Sequence, residues 1–160
     1  MIIKMQKEFF YSLPNEKVGH ACFEPMVPVY QNCMSQRSSQ DAQRFRDEFY
    51  RSLPQSQRAL LGFFTYYDHA IRSRDEFQRI TTLYLSGRFF AIVKMGAEYF
   101  EVGNMQNLLT EIEEAFSEQG DELNSQIDEL YGQLHDITQQ TLMQIGAFIK
   151  RNPEEFIHFQ

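Results

Sequence analysis

The sequence predicts an all-α protein, a single domain of about six to seven packed short helices that follows an irregular N-terminal arm. Three observations support this fold class. The chain has 160 residues, close to the usual size of one domain. Apolar residues recur at helical spacing through most of residues 36–160, and glycine and proline separate the repeating segments. We therefore place the arm at residues 1–35 and the helical domain at residues 36–160.

The arm is predicted from the absence of a sustained apolar repeat in residues 1–35. Within "FEPMVPVYQNCMS", Pro25 and Pro28 lie close together, and a proline disfavours helix at the residue before it. We expect extended or turn conformations here, with the arm packed across the helical domain or partly mobile.

The first predicted helix lies in "SSQDAQRFRDEFYRSLP", where Ala42, Phe45 and Phe49 fall at i, i+3 and i+7. Ser38 or Ser39 is available to cap its start. The second follows in "QSQRALLGFFTYYDHAI", and should be the most buried helix because its apolar residues cover much of its circumference. Those apolar residues are Leu60, Leu61, Phe63, Phe64 and Tyr67, and Pro54 before them suits the first turn of the helix.

Two further helices are predicted on either side of Gly87, a plausible helix stop. Phe77, Ile80 and Tyr84 share one face of "RDEFQRITTLYLSG". The β-branched run Ile80, Thr81 and Thr82 leaves a strand open as an alternative there. The segment "RFFAIVKMGAEYF" resumes the helical pattern with Phe89, Ile92, Val93 and Phe100.

Three helices complete the prediction, and the first of them has Asn104 as a possible cap for "MQNLLTEIEEAF". Gly120 separates that helix from "DELNSQIDELYGQL". Asp136 with Gln139 resembles a capping box, which predicts a new helix that must end before Pro153.

Charge is divided unevenly along the chain. Residues 1–94 contain thirteen Lys or Arg against nine Asp or Glu, whereas residues 95–149 contain eleven carboxylates and no Lys or Arg. The net charge of -7 and a pI near 5.1 argue against binding nucleic acid directly through its phosphates. This uneven charge has three possible meanings: an interaction surface for another molecule, packing of the acidic part of the chain on the basic part, or pairing of the two parts between copies in a homodimer.

The densest acidic segment is "EIEEAFSEQGDELNSQIDEL", residues 111–130, which has eight carboxylates and no Lys or Arg. We predict that it forms the surface that binds a basic protein partner, although an ordinary solvated helix face remains an alternative. The candidate partner-binding residues are Glu111, Glu113, Glu114, Glu118, Asp121, Glu122, Asp128 and Glu129.

The sequence gives little support to a metal or cofactor site. His20, Cys22 and Cys33 are the nearest approach to a ligand set, and they form neither a CxxC nor an HxxxH pair. Two cysteines are too few for a disulfide framework, so both are read as reduced thiols. We expect no metal and no cofactor.

Catalysis is not predicted either, and no catalytic residue is assigned. The tetrad "YYDH", Tyr66 to His69, has the composition of an active site, but successive helical residues point about 100° apart and cannot converge. A small-molecule enzyme with a pocket among Tyr66, Tyr67 and His69 is the alternative.

The apolar run in "MIIKMQKEFFYSL" is too short for a secretory signal, and no membrane span is evident, so we expect a cytoplasmic protein.

Several segments resemble one family when taken in order: "FAIVKMGA" at 90–97, "NLLTEIEEAF" at 107–116, and "IDELYGQLHDITQQTLMQIGAFIKRNPEEF" at 127–156. Together they resemble the bacterial DNA-mimic protein family, whose core domain otherwise has no assigned function. The resemblance runs from about Ser52 onward, and its most specific motif is the final "NPEEF". The family's glycine pair has no counterpart in "SRDEFQRIT", which keeps only Phe77 and Gln78.

The resemblance implies an all-α fold and an acidic surface that imitates the phosphates of DNA and occupies a DNA-binding transcription factor. A related alternative is an immunity or antitoxin protein that covers the substrate site of a basic nuclease toxin. Both imply a non-enzymatic interaction module, and the sequence does not separate them.

Overall fold

The computed structural model describes residues 1–35, 39–118 and 123–160, and most of them are helical. In chain order the elements are β1 (Lys4–Met5), α1 (Lys7–Ser12), α2 (Asn15–Phe23), α3 (Met26–Ser35), α4 (Ser39–Ser52), α5 (Gln55–Ala70), α6 (Arg74–Ser86), α7 (Phe90–Tyr99), α8 (Gly103–Ser117), α9 (Leu123–Arg151), a 3₁₀ turn (Pro153–Glu155) and β2 (His158–Phe159). The all-α fold class is confirmed.

The N-terminal segment is not irregular, because α1, α2 and α3 occupy most of residues 1–35. Its prolines do not oppose these helices. Pro25 precedes the first residue of α3, and Pro28 is the third residue of that helix, where the missing N–H would have had no partner within the helix. The same prolines that predict a turn are therefore compatible with a helix start.

The helices predicted between residues 39 and 117 are confirmed, with small changes at their ends. Pro54 precedes α5 rather than lying within its first turn. The Ser73 side chain caps α6 by accepting a hydrogen bond from the Glu76 N–H at 3.1 Å. Asn104 is not a cap, because α8 already begins at Gly103. Ile80 to Thr82 are helical, and the predicted cap Ser38 lies outside the described residues.

The two helices predicted on either side of Asp136 form one continuous helix, α9. Asp136 lies near its middle and does not begin a new helix. The buried stripe continues through this point, which explains the continuity: its members are Ile127, Leu130, Leu134, Thr141, Ile145 and Ile149. The helix ends at Arg151, before Pro153, as predicted.

Helix α5 lies at the centre of the core, as its apolar pattern predicts. Phe63, Phe64 and Tyr66 are almost completely buried. Helix α7 approaches α5 so closely that a Cβ added to Gly96 would lie 2.9 Å from the Ala59 carbonyl oxygen. On another side, α2 packs against both α5 and α9. The α2 segment therefore belongs to the core.

The two ends of the chain meet in a short parallel pair, in which Lys4 is opposite His158 and Met5 is opposite Phe159. The His158 N–H donates to the Ile3 carbonyl oxygen at 2.7 Å. This pairing joins the start of the chain to the segment that follows α9. Among the described helices, none is both long and apolar enough to cross a membrane.

Candidate protein-binding groove

Helices α8 and α9 border two adjoining surface pockets that share Glu111 and Gln133 and together form a groove lined by carboxylates and carboxamides. Helix α8 contributes Asn104, Asn107, Glu111, Glu114 and Glu118, and α9 contributes Gln126, Glu129, Gln133 and Asp136. We call this set the carboxylate–amide groove. Its apolar floor contains Leu108, Ala115, Leu130 and Ile137.

The groove follows from the spacing of polar residues on the two helices. On α8, Glu111, Glu114 and Glu118 fall at i, i+3 and i+7, which puts them on one face. Glu129, Gln133 and Asp136 have the corresponding spacing on α9. The neighbouring face of each helix is apolar and buried, so packing of those faces brings the two polar stripes together.

The electrostatics of the groove are one-sided. Five of its members carry carboxylates, the other four are amides, and none of the described residues that line it is Lys, Arg or His. At one end the Asn104 side chain donates to Gln140 Oε1 at 3.3 Å. The Gln133 amide donates to Glu129 Oε1 at 3.4 Å, a long contact that leaves the carboxylate open to solvent. The groove thus presents acceptors and negative charge to any approaching molecule.

Two of the predicted partner-binding residues lie outside the groove, in ion pairs. Lys94 Nζ donates to Glu113 Oε2 at 2.5 Å, and Arg74 Nε donates to Asp128 Oδ1 at 2.7 Å. Both cations come from the basic first part of the chain. These two carboxylates therefore contribute to the packing of the acidic part of the chain on the basic part, which was one of the alternatives for the charge division.

The remaining predicted residues divide between the groove and the part of the chain that is not described. Glu111, Glu114, Glu118 and Glu129 line the groove. Asp121 and Glu122 lie outside the described residues. Sequence reasoning missed Asp136 because it treated that residue as a cap, and it missed the amides because only charge was counted. The shared spacing of three and four residues on both helices was the available signal.

The tetrad Tyr66 to His69 does not form a site. The Tyr66 hydroxyl is buried and bonded to the Thr81 hydroxyl at 2.8 Å, and burial strongly raises the Tyr66 pKa. Asp68 instead contacts His20, with 2.7 Å between Asp68 Oδ1 and His20 Nε2. His69 contacts a glutamate of α6. Tyr66, Asp68 and His69 therefore each have a different partner.

The glutamate that contacts His69 is held in its charged form by two neighbours. Arg79 donates to both oxygens of Glu76, and His69 Nδ1 lies 2.7 Å from Glu76 Oε1. The Arg79 hydrogen bonds, followed by the one with His69, lower the Glu76 pKa to about 2. This cluster is a surface ion-pair network that joins α5 to α6.

Two of the cysteine and histidine candidates, Cys22 and His20, are placed in other surroundings. Cys22 is buried in the core, and this burial raises its thiol pKa to about 12, so the thiol is protonated and unreactive at neutral pH. His20 is engaged with Asp68. In the described ranges 1–35, 39–118 and 123–160, no three His, Cys, Asp or Glu side chains are grouped so that they could hold a metal ion.

Comparison of the chain with models of protein families, with curated proteins and with solved structures finds no match. The DNA-mimic resemblance therefore stays a prediction.

Proposed function

We propose that this protein is a non-enzymatic interaction module whose carboxylate–amide groove binds the basic, nucleic-acid-binding face of a protein partner. One observation carries the proposal: five carboxylates from two helices converge on one groove without a cation among the described residues that line it. The partner would be a DNA-binding protein or a nuclease, since such proteins concentrate Lys and Arg on one face. Mimicry of DNA phosphates would be the means of recognition.

The chemistry of the groove suits arginine and lysine side chains. A carboxylate can accept two parallel hydrogen bonds from one guanidinium, and the amides supply further acceptors between the charges. Opposite charge also steers the encounter and makes it sensitive to salt, because the Debye length is only about 8 Å at physiological ionic strength.

The match to DNA is partial in charge density. From Asn104 to Glu118 the groove extends about 21 Å at 1.5 Å per helical residue, so its five carboxylates give about one charge per 4 Å. Duplex DNA carries about one charge per 1.7 Å. We therefore infer that the groove replaces a short segment of backbone on its partner and that the complex dissociates readily in salt.

The experiment is a capture from a lysate of the source organism with four matched baits. The first two are the wild-type chain and the groove variant E111Q/E114Q/E118Q/E129Q. The third, E24Q/E98Q/E101Q/E154Q, makes the same charge change at exposed glutamates elsewhere. The fourth, E113Q/D128N, removes the two ion-paired carboxylates.

We expect the wild-type chain and the E24Q/E98Q/E101Q/E154Q control to retain the same DNA-binding protein or nuclease at low salt. About 0.5 M salt or added duplex DNA should release it. The groove variant should retain at least about tenfold less, and E113Q/D128N should stay close to wild type. Equal capture by the groove variant and the control would contradict the proposal, as would a partner that duplex DNA does not displace.

A further inference from the structure

A second feature lies away from the groove, where α3, α4, α5 and α6 meet the start of α7. It is a pocket of about 180 Å³. Its walls are mainly aromatic and aliphatic: Tyr30, Tyr50, Leu61, Leu83, Tyr84, Phe89 and Ile92. Two charged residues, Arg46 and Asp47 of α4, complete the lining together with Gly62 and Thr65.

The size of the pocket limits what it can hold. A cavity of about 150 Å³ accommodates benzene, so about 180 Å³ matches one six-membered ring more closely than a fused ring system with its substituents. The surrounding tyrosines and Phe89 favour an aromatic occupant, because rings pack well against other rings edge to face. The apolar part of the ligand is therefore a single ring.

The charges of the pocket define the polar part of the ligand. Arg46 and Asp47 are exposed, and neither forms an ion pair with any residue that the structure describes. Burial raises the pKa of Tyr30, and it raises that of Tyr84 to about 12, while the Arg46 guanidinium opposes both rises. Arg46 thus acts at two of the three phenol groups of the pocket, those of Tyr30 and Tyr84.

A ligand with only one charge would satisfy one of these residues and be repelled by the other. A zwitterion satisfies both, since its carboxylate can accept from Arg46 and its ammonium can donate to Asp47. Both residues line the pocket, so one bound molecule that carries both charges can contact both of them.

We propose that this pocket binds a free α-amino acid with a single-ring aromatic side chain, such as phenylalanine. The ring lies among Tyr30, Tyr84 and Phe89, and the amino acid's charged groups meet Arg46 and Asp47. The pocket is built from α3 to α7 and the groove from α8 and α9, so this binding is independent of the proposed partner surface.

The test is isothermal titration calorimetry of the full chain with L-phenylalanine and three analogues. 3-Phenylpropionate lacks the ammonium, phenethylamine lacks the carboxylate, and L-tryptophan has a larger ring system. We expect L-phenylalanine to bind and each analogue to bind at least about tenfold more weakly, the effect of one lost charge-assisted hydrogen bond or of a ring that does not fit. Equal binding of any analogue, or no binding of L-phenylalanine at millimolar concentration, would overturn the assignment.

Variants on the surface of α4 provide the control within the chain. Arg46→Gln and Asp47→Asn should each weaken phenylalanine binding about tenfold. Arg44→Gln removes the same charge from an exposed arginine of the same helix that pairs with Glu48, and it should leave the affinity unchanged. If Arg46→Gln and Arg44→Gln behave alike, Arg46 does not bind the carboxylate. The groove variant should bind phenylalanine like the wild type, which separates this test from that of the proposed function.

Discussion

The two halves of α9 differ in both packing and charge. The C-terminal half, residues 137–151, packs against α2 so closely that a Cβ added to Gly146 would lie 1.8 Å from the Asn15 carbonyl oxygen. The N-terminal half, residues 123–136, borders the groove beside α8. One helix therefore serves both as a core element and as one wall of an open surface.

The charges follow the same division. The C-terminal half contains no carboxylate, and its two cations, Lys150 and Arg151, lie at the helix C-terminus, where they complement the helix dipole. The N-terminal half contains Asp128, Glu129 and Asp136 and no Lys or Arg. Carboxylates without an ion pair to any described residue thus occur where α9 faces an open groove, and α9 has no carboxylate where another backbone lies against it.

The largest change in stability is expected from adding a methyl group at the close contact between α2 and the C-terminal half of α9. In Gly146→Ala, the new methyl group would meet the Asn15 carbonyl oxygen at 1.8 Å and its carbonyl carbon at 2.5 Å, so α2 and α9 must separate. We expect a loss of about 3 kcal/mol in the free energy of unfolding, measured by urea denaturation.

The control is the other glycine of the same helix. Gly132 lies in the N-terminal half, is exposed, and has no atom within 4 Å of an added Cβ. Gly132→Ala should therefore stabilise the protein by about 0.8 kcal/mol through helix propensity alone. A destabilised Gly132→Ala, or a Gly146→Ala variant with wild-type stability, would show that the two halves do not differ in packing.

A smaller loss of stability is expected on removing the hydrogen bond between the end of α9 and the segment between α1 and α2. Lys150 Nζ donates to the Leu13 carbonyl oxygen at 2.6 Å, and the lysine is half-buried. Lys150→Met keeps much of the aliphatic chain but leaves that carbonyl without its partner. We expect a loss of about 1 kcal/mol, measured by the same denaturation.

Arg151→Met is the matched control, since it removes the same charge from the same helix end at an exposed position. It should cost about 0.3 kcal/mol, the lower end of the helix-dipole effect at an exposed position. Similar losses in both variants would mean that the helix dipole, and not the bond to Leu13, accounts for the effect of Lys150.

The sequence predicts the individual helices well because each buries its own apolar stripe. The most buried helix, α5, and the stop at Gly87 follow from local spacing. The α1–α3 segment does not, because the pattern of its prolines fits both a turn and a first helical turn. The unbroken α9 was missed for a related reason: the capping residue types at Asp136 and Gln139 are overridden by a buried stripe that continues past them.

The candidate site was only half predictable for a different reason. Counting charges located the acidic part of the chain. Whether each carboxylate forms an ion pair or stays open to solvent, however, depends on residues distant in sequence. Glu113 and Asp128 pair with Lys94 and Arg74, which lie 19 and 54 positions away. To predict the groove, one must also know that α8 packs beside α9. A count of charges along the sequence does not give this packing.

The smallest expected change in stability comes from removing negative charges from the groove. Glu111 and Glu114 are three residues apart, Glu114 and Glu118 are four apart, and Glu118 stands at the C-terminus of α8, where a negative charge opposes the helix dipole. E111Q/E114Q/E118Q/E129Q should therefore be more stable than the wild type by about 0.5 kcal/mol at low ionic strength, since Gln and Glu have similar helix propensities. Urea denaturation should show this gain shrinking in about 0.5 M salt.

The E24Q/E98Q/E101Q/E154Q variant separates this local repulsion from the general effect of net charge, and it should gain less. If the groove variant is instead destabilised, its carboxylates contribute to folding and the contrast between the two halves of α9 fails. If it gains stability and loses its partner, the protein keeps these charges at a cost to its own fold. That result is expected of residues retained for binding, and a solvated helix face would give the gain in stability without the loss of binding.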